Sequence, residues 1–296
     1  MAATVHRWHA TTGNYPTLAN WDTAALPGTG GPGLDTAFCD GVSQQAFTTG
    51  LDRSADNPLQ RFVTDESYRG DIGALGDPLT LEIVSTTDGR ARVVHRGTGA
   101  FYFAGDIGNF ADVYVDSARP VRSAAMTLTG VIRNVFVARG RVDIAATCEV
   151  TGTVWSAGPQ AEIHIAARSA AESIPIQILC TRGQIYNSRE TATDIGNWII
   201  VSGQGRMWQY GNVSSETTIV DTSGGGLHLA PTSAPTGAHY PDLFVNSFLN
   251  LKESKWDLIF DNLVIGPEAS ISGGPLNVSG EFSPLSTNID MREGYP

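Results

Sequence analysis

The six histidines, three cysteines and scattered carboxylates of this 296-residue chain are where any chemistry would begin. His6 and His9 stand close together, but no carboxylate or cysteine beside them in sequence completes a metal site. Glu162 and His164 fall two apart in the alternating segment Glu162-Ile-His-Ile, so a strand there puts both on one face. That spacing allows a Glu–His dyad, and equally a solvated pair on the outside of a strand. The stretch from Arg189-Glu190 to Asp194 is the best candidate for a carboxylate cluster. Carbohydrate cleavage needs two carboxylates across a glycosidic bond, and this cluster has no recognisable second half. There is no Gly-x-Ser-x-Gly elbow, no phosphate-binding loop and no His-Glu-x-x-His. Gly-Asp-Ile-Gly occurs at 70–73 and 105–108, and Asp194-Ile-Gly echoes it. Aspartates stacked in successive turns can hold calcium, but too few turns carry one here. An aspartate bonded to its own turn is the expected role. Cys39, Cys148 and Cys180 are odd in number and widely spaced, which predicts three buried free thiols rather than a disulfide framework or a zinc site. The reading is of a non-catalytic protein without a cofactor.

Composition narrows the remaining classes. The net charge is −11. Residues 1–78 carry a net −5, residues 79–214 a net +1 and residues 215–296 a net −7. A nucleic-acid binder needs a basic footprint, and none is present. The N-terminal residues have no apolar core of signal-peptide length. No apolar run approaches the roughly 20 residues of a membrane span. The expected partners therefore exclude nucleic acid and membrane.

The elements that would position these residues are short strands. Glycine numbers 33 and charged residues make up 17%, a composition suited to a turn-rich all-β chain. From Leu79 onward, apolar residues alternate with polar ones in segments of four to seven residues, as at Leu79/Leu81/Ile83, Phe101/Phe103, Val113/Val115, Ile163/Ile165 and Ile199/Val201. Alternation of this kind marks half-buried strands. Ala166–Ser173 is the best helix candidate, and it is short. A repeat runs through the strands: an apolar residue, glycine five positions later, and another apolar residue two beyond. Examples are Ile178/Gly183/Ile185, Ile200/Gly205/Met207 and Val220/Gly225/Leu227. A step near twenty residues suits one coil of a β-solenoid, in which stacked coils share a core that no single coil can bury. A β-sandwich with regularly spaced hairpins is the alternative. The expected organisation is a turn-rich N-terminal arm or cap over 1–78, a β-solenoid over 79–230 with Ile178, Ile200 and Val220 stacked inward, and a C-terminal β region and tail over 231–296. Repeat glycines are expected to supply positive φ at corners.

Arginines flank the repeat glycines at Arg90, Arg141 and Arg206. If the coils stack in phase, they would form an edge ladder able to dock on an acidic or carbonyl-rich surface. In the N-terminal stretch, Trp8 and Trp21 are expected at an interface, where aromatics supply large area for little side-chain entropy; capping the end of the chain's own solenoid is the alternative.

The N-terminal third also carries Asn20-Trp21, Leu26-Pro27-Gly28, Gly33-Leu34-Asp35-Thr36-Ala37-Phe38, Thr49 to Ala55, Tyr68 to Gly73 and Pro78 to Leu81 in that order. This order resembles tailed-bacteriophage β-helical capsid decoration (cement) or head-fibre proteins. The resemblance implies a virion structural protein, made in the host cytoplasm. It would sit as a homotrimer on the outer capsid surface, bound to the major capsid protein. A receptor- or glycan-binding fibre or tailspike-like protein is the second reading, and it predicts aromatics such as Trp208 and Tyr210 on an outer face. A polysaccharide-degrading solenoid enzyme is the third.

Overall fold

In a computed structural model of the chain, residues 4–28, 35–53, 58–84, 91–105, 111–167, 177–189, 197–211, 217–222, 224–230, 239–251, 258–273, 276–278, 282–284 and 289–290 are described. The protein is all-β and folds as a parallel β-solenoid. Among the described residues there is no α-helix, only a single 3₁₀ turn at Leu18–Asn20. Most of the Ala166–Ser173 helix candidate lies outside the described residues.

Two compact units divide the chain, Met1–Thr151 and Gly152–Pro296. In the N-terminal unit, Val5–Arg7, Thr36–Cys39, Arg61–Thr64, Arg92–His95, Asp112–Asp116 and the start of Asn134–Val150 stack as parallel neighbours. A second stack runs through Asp52–Arg53, Leu79–Leu81, Phe101–Gly105, Met126–Ile132 and the later part of Asn134–Val150. In the C-terminal unit, one stack follows Thr153–Ile165, Gln177–Cys180, Asn197–Val201, Thr217–Asp221, His239–Val245, Leu258–Ile265 and Phe282–Pro284. The other follows the later part of Thr153–Ile165, then Gln184–Asn187, Arg206–Gln209, Leu227–Leu229, Phe248–Asn250, Ser270–Ser272 and Ile289–Asp290.

This register changes the expected organisation. Residues 1–78 are not a separate arm, because their strands occupy the first coils of the same parallel stacks. Nor does the architecture change at residue 231, since the C-terminal strands continue both ladders. Short strands such as Thr36–Cys39 are legible in 1–78, but frequent turns hid their hydrogen-bond partners, which lie a whole coil away.

Inward residues alternate with outward ones, as the pleat demands. Ile163, Ile185, Met207, Leu227, Leu249 and Ile271 form one continuous inward column, every member buried. Ile178 is buried too, but its partners are Ile199 and Ile219. Ile200 and Val220, expected inward, instead stack on Leu179 in the half-exposed outward column. The corner explains the change. Cys180 pairs with Val201 and Gln184 with Arg206, so the later coil's corner is one residue longer, and one extra residue reverses facing.

The repeat glycines have a role other than the expected one. Of those described, Gly140 alone has positive φ, at 90°. Elsewhere close approach is the reason. A Cβ on Gly205 would lie 2.2 Å from the Cys180 carbonyl oxygen, and one on Gly225 would lie 2.2 Å from that of Gly205. Coil backbones touch there, leaving no room for a side chain.

Candidate functional site

Outward positions of the C-terminal unit form two adjoining patterns on its second stack. Glu162, Gln184 and Arg206 are in register, and beside them His164, Tyr186, Trp208 and His228 are in register. The ring centroids of this aromatic column are 4.6, 4.6 and 4.8 Å apart, and the Tyr186–Trp208 and Trp208–His228 planes lie within 10° and 13° of parallel. Parallel strands set the spacing, since neighbours lie about 4.8 Å apart. All four rings are half-buried. His164 Nε2 lies 2.5 Å from Glu162 Oε1, the Tyr186 hydroxyl donates to Gln184 Oε1 at 2.8 Å, and Asn250 Nδ2 lies 3.0 Å from His228 Nδ1. The polar atoms of the His164, Tyr186 and His228 rings are thus each held by a neighbour on the same outer face. Burial, aided by the nearby Glu162 carboxylate, raises the Tyr186 pKa, so its hydroxyl stays protonated.

The column ends near Phe248, whose ring is 6.3 Å from His228 and turned 73° to it. Phe248 is 38% exposed. It lines a cavity of about 300 Å³ with Thr222, Asn246, Ser247, Glu268 and Ser270.

On the unit's other stack, Trp155, Leu179, Ile200, Val220, Phe244 and Val264 share one outward register. Six consecutive coils therefore contribute an apolar side chain to a single outer column. Trp198, next to it, is 47% exposed and Phe244 is 37% exposed.

The residues expected at an interface are dispersed. Trp8 and Trp21 are 0% and 2% exposed and belong to the N-terminal unit's own core. Trp8 stacks on Phe47 at 4.0 Å and meets Trp21 edge-on at 5.1 Å. Their indole N–H groups donate to the Gln45 and Tyr15 carbonyls, at 3.0 Å each. An aromatic so buried and satisfied has nothing left to offer a partner. Arg90 lies outside the described residues. Arg141 forms a two-pronged pair with Asp143, at 2.7 and 3.1 Å. Arg206 is exposed, and its register neighbour is Gln184 in place of a further arginine. No arginine ladder forms from them, because the glycine-adjacent position carries a different residue on successive coils.

Other candidates resolve as structural. His6, with Asp35 at 3.0 Å and Thr23 at 2.7 Å, ties the first coil together. Asp71 accepts from the Ala100 N–H at 2.6 Å, so it bonds the next coil rather than its own turn. Arg189 is 2% exposed, and its Nε donates to the Ala166 carbonyl; Glu190 and Asp194 lie outside the described residues. Cys39, Cys148 and Cys180 are buried free thiols. Burial pushes the Cys180 pKa up to about 12 and that of Cys39 well above its usual value. Among the described residues, no group of three or more His, Cys, Asp or Glu is placed to hold a metal.

Sequence reading missed the aromatic column as a unit, although it singled out His164 and Trp208. The signal was available: Tyr186, Trp208 and His228 each stand three residues after a repeat glycine, Gly183, Gly205 and Gly225.

The chain matches no protein-family profile, no curated protein and no solved structure.

Proposed function

We propose that this protein is a non-catalytic structural component of a tailed-bacteriophage virion, a decoration protein that joins the outside of the head as a homotrimer and braces neighbouring capsid subunits. The observation carrying the self-association is the outward apolar column from Trp155 to Val264. Its side chains add nothing to the solenoid's own core, which the inward columns already fill. Exposed apolar patches of this regularity mark contact surfaces. A second copy of the chain has the same coil spacing, so its column meets this one rung for rung. Copies carrying −11 each repel, and the column, which carries no charge, is a face on which they can meet without adding to that repulsion. The N-terminal motifs support the virion assignment.

Rebinding tests it. Purified protein should bind phage heads stripped of their decoration and raise the temperature at which they release DNA. Protein that leaves stripped heads uncoated at saturating concentration contradicts the reading.

The glycan-binding fibre is the second reading, and the outward aromatic column favours it. For the enzymatic reading the geometry offers less. Glu162 is in register with Gln184, where a hydrolytic pair would need a second carboxylate.

A further inference from the structure

We propose that the C-terminal unit carries a binding site for a linear, uncharged oligosaccharide, made of the Phe248 cavity and the aromatic column that leads to it. The ligand class rests on the glycan-binding reading, and the location rests on geometry.

The column is a usable surface because its rings are slipped. Contacting carbon planes lie about 3.5 Å apart, whereas these centroids are 4.6 to 4.8 Å apart at near-parallel planes. Each ring is therefore displaced sideways by about 3 Å, an offset-stacked arrangement. The offset leaves a strip of face and the outer edge of every ring uncovered, a stepped ribbon along the coils. The C–H face of a pyranose fits such a ribbon, and its hydroxyls fall at the rim. At that rim stand the Glu162 carboxylate, the Gln184 amide and the Arg206 guanidinium, in register with one another. Glu162 and Gln184 also fix the rings of His164 and Tyr186 by hydrogen bonds, so the surface is ordered before a ligand arrives.

The cavity supplies what a ribbon lacks, a defined end. Its volume of about 300 Å³ stands at the lower end of the ~300–1,000 Å³ range of small-molecule sites. One aromatic ring, three hydroxyls, an amide and a carboxylate line it. Asn246 Oδ1 already accepts from the Glu268 N–H at 3.2 Å, so Asn246 offers a ligand its donor end. Glu268 is exposed, and its carboxylate can accept from two vicinal hydroxyls. Oriented polar groups around a partly exposed ring suit a sugar better than a purely apolar ligand.

Charge selects among polymers. Single-stranded nucleic acid also stacks on aromatic side chains, but it needs a basic groove. The cavity lining holds a carboxylate and no cation, the Arg206 guanidinium at the ribbon's rim shares its column with the Glu162 carboxylate, and residues 215–296 carry a net −7. Polyanions, acidic polysaccharides included, are disfavoured.

The test is calorimetric titration of the full chain with maltohexaose, cellohexaose and fully acetylated chitohexaose, alongside a hyaluronan hexasaccharide and oligouridylate of matched length. At least one neutral hexasaccharide should bind. Phe248→Ala and Glu268→Gln should each weaken it by tenfold or more, and Trp208→Ala by several-fold, with unchanged circular dichroism. Phe248 is exposed enough that its truncation leaves the core filled. Failure of all three neutral sugars to bind overturns both the proposal and the glycan reading. Binding that none of the three variants weakens overturns the site and leaves the glycan reading standing. Tighter binding of hyaluronan or oligouridylate overturns the ligand class.

Discussion

The two units fill their cores differently, one with aromatic side chains and the other with aliphatic ones. In the N-terminal unit, Trp8, Tyr15, Trp21, Phe47, Phe62, Tyr68, Phe101 and Phe103 are all buried. The inward columns of the C-terminal unit are mainly aliphatic, with Phe260 the exception among its described residues, and Trp155, Tyr186, Trp198, Trp208, Phe244 and Phe248 stand on its outer faces. Coil length accounts for the difference. In-register positions Ala37, Phe62, Val93 and Val113 lie 20 to 31 residues apart. Those from Ile163 to Ile271 lie 20 to 22 apart. Long, uneven coils enclose irregular space that bulky rings fill. Short, even coils are filled by Ile, Leu and Val, and their rings go to the outside. The N-terminal unit keeps rings on its outer face as well, Tyr114 stacked on Phe136 at 4.8 Å, so the contrast lies in the core, which aromatics fill in one unit and aliphatics in the other.

The largest expected effect breaks this contrast at its centre. Trp21→Ala should destabilise the N-terminal unit by about 3–5 kcal/mol, the usual cost of emptying a large buried site. Trp208→Ala should cost its own unit about 1–3 kcal/mol, the two ring-stacking interactions it makes with Tyr186 and His228. Denaturant unfolding, with hydrogen exchange to assign each loss, would compare them. Equal losses would contradict the inside–outside distinction.

A finer contrast lies between adjacent residues. Ile199 is 1% exposed, while Ile200 is half-buried on the outer face. Ile199→Ala should cost about 2–5 kcal/mol, and Ile200→Ala about 1 kcal/mol or less in the unit's own unfolding. The reverse order would mean that the facing assigned from the corner length is wrong.

A smaller effect separates the units by pH. His95 sits in the N-terminal core, 1% exposed, its Nδ1 2.8 Å from the Thr64 hydroxyl. Burial is the main cause that lowers its pKa to about 4. Between the unfolded value near 6.5 and about 4, the unfolded chain holds a proton there that the folded chain does not. Stability contributed by this group is thus complete above pH 6.5 and falls as pH drops through that window. The loss should reach roughly 2 kcal/mol by pH 5. Melting curves from pH 7 to 5 should show the slope, and His95→Gln should flatten it. An unchanged slope in the variant would assign the pH dependence to other groups.

Much of this was legible before any coordinates. Alternation at Phe101/Phe103, Val113/Val115 and Ile163/Ile165 marked strands whose inward faces are the observed core. The twenty-residue glycine step marked the coil. Facing at Ile200 and Val220 was not legible, because it depends on one extra corner residue and on a partner coil some twenty positions away. The role of Trp8 and Trp21 was hidden for a similar reason. Their neighbour Phe47 comes from another coil, so a stretch full of turns concealed a packed core. For the candidate site, Trp208 and the Glu162/His164 pair stood out singly. Only the register joined them to Tyr186, His228 and Phe248.

The central claim is that the C-terminal unit wears its apolar column outside because another copy covers it. Sedimentation equilibrium at micromolar concentration tests this most directly, comparing the wild-type chain with the Ile200→Lys/Val220→Lys double variant. The predicted result is three times the 31.4 kDa chain mass for the wild type and a single chain for the variant, with circular dichroism alike in both. A wild-type protein that sediments as one chain, or a variant that remains trimeric, would contradict it.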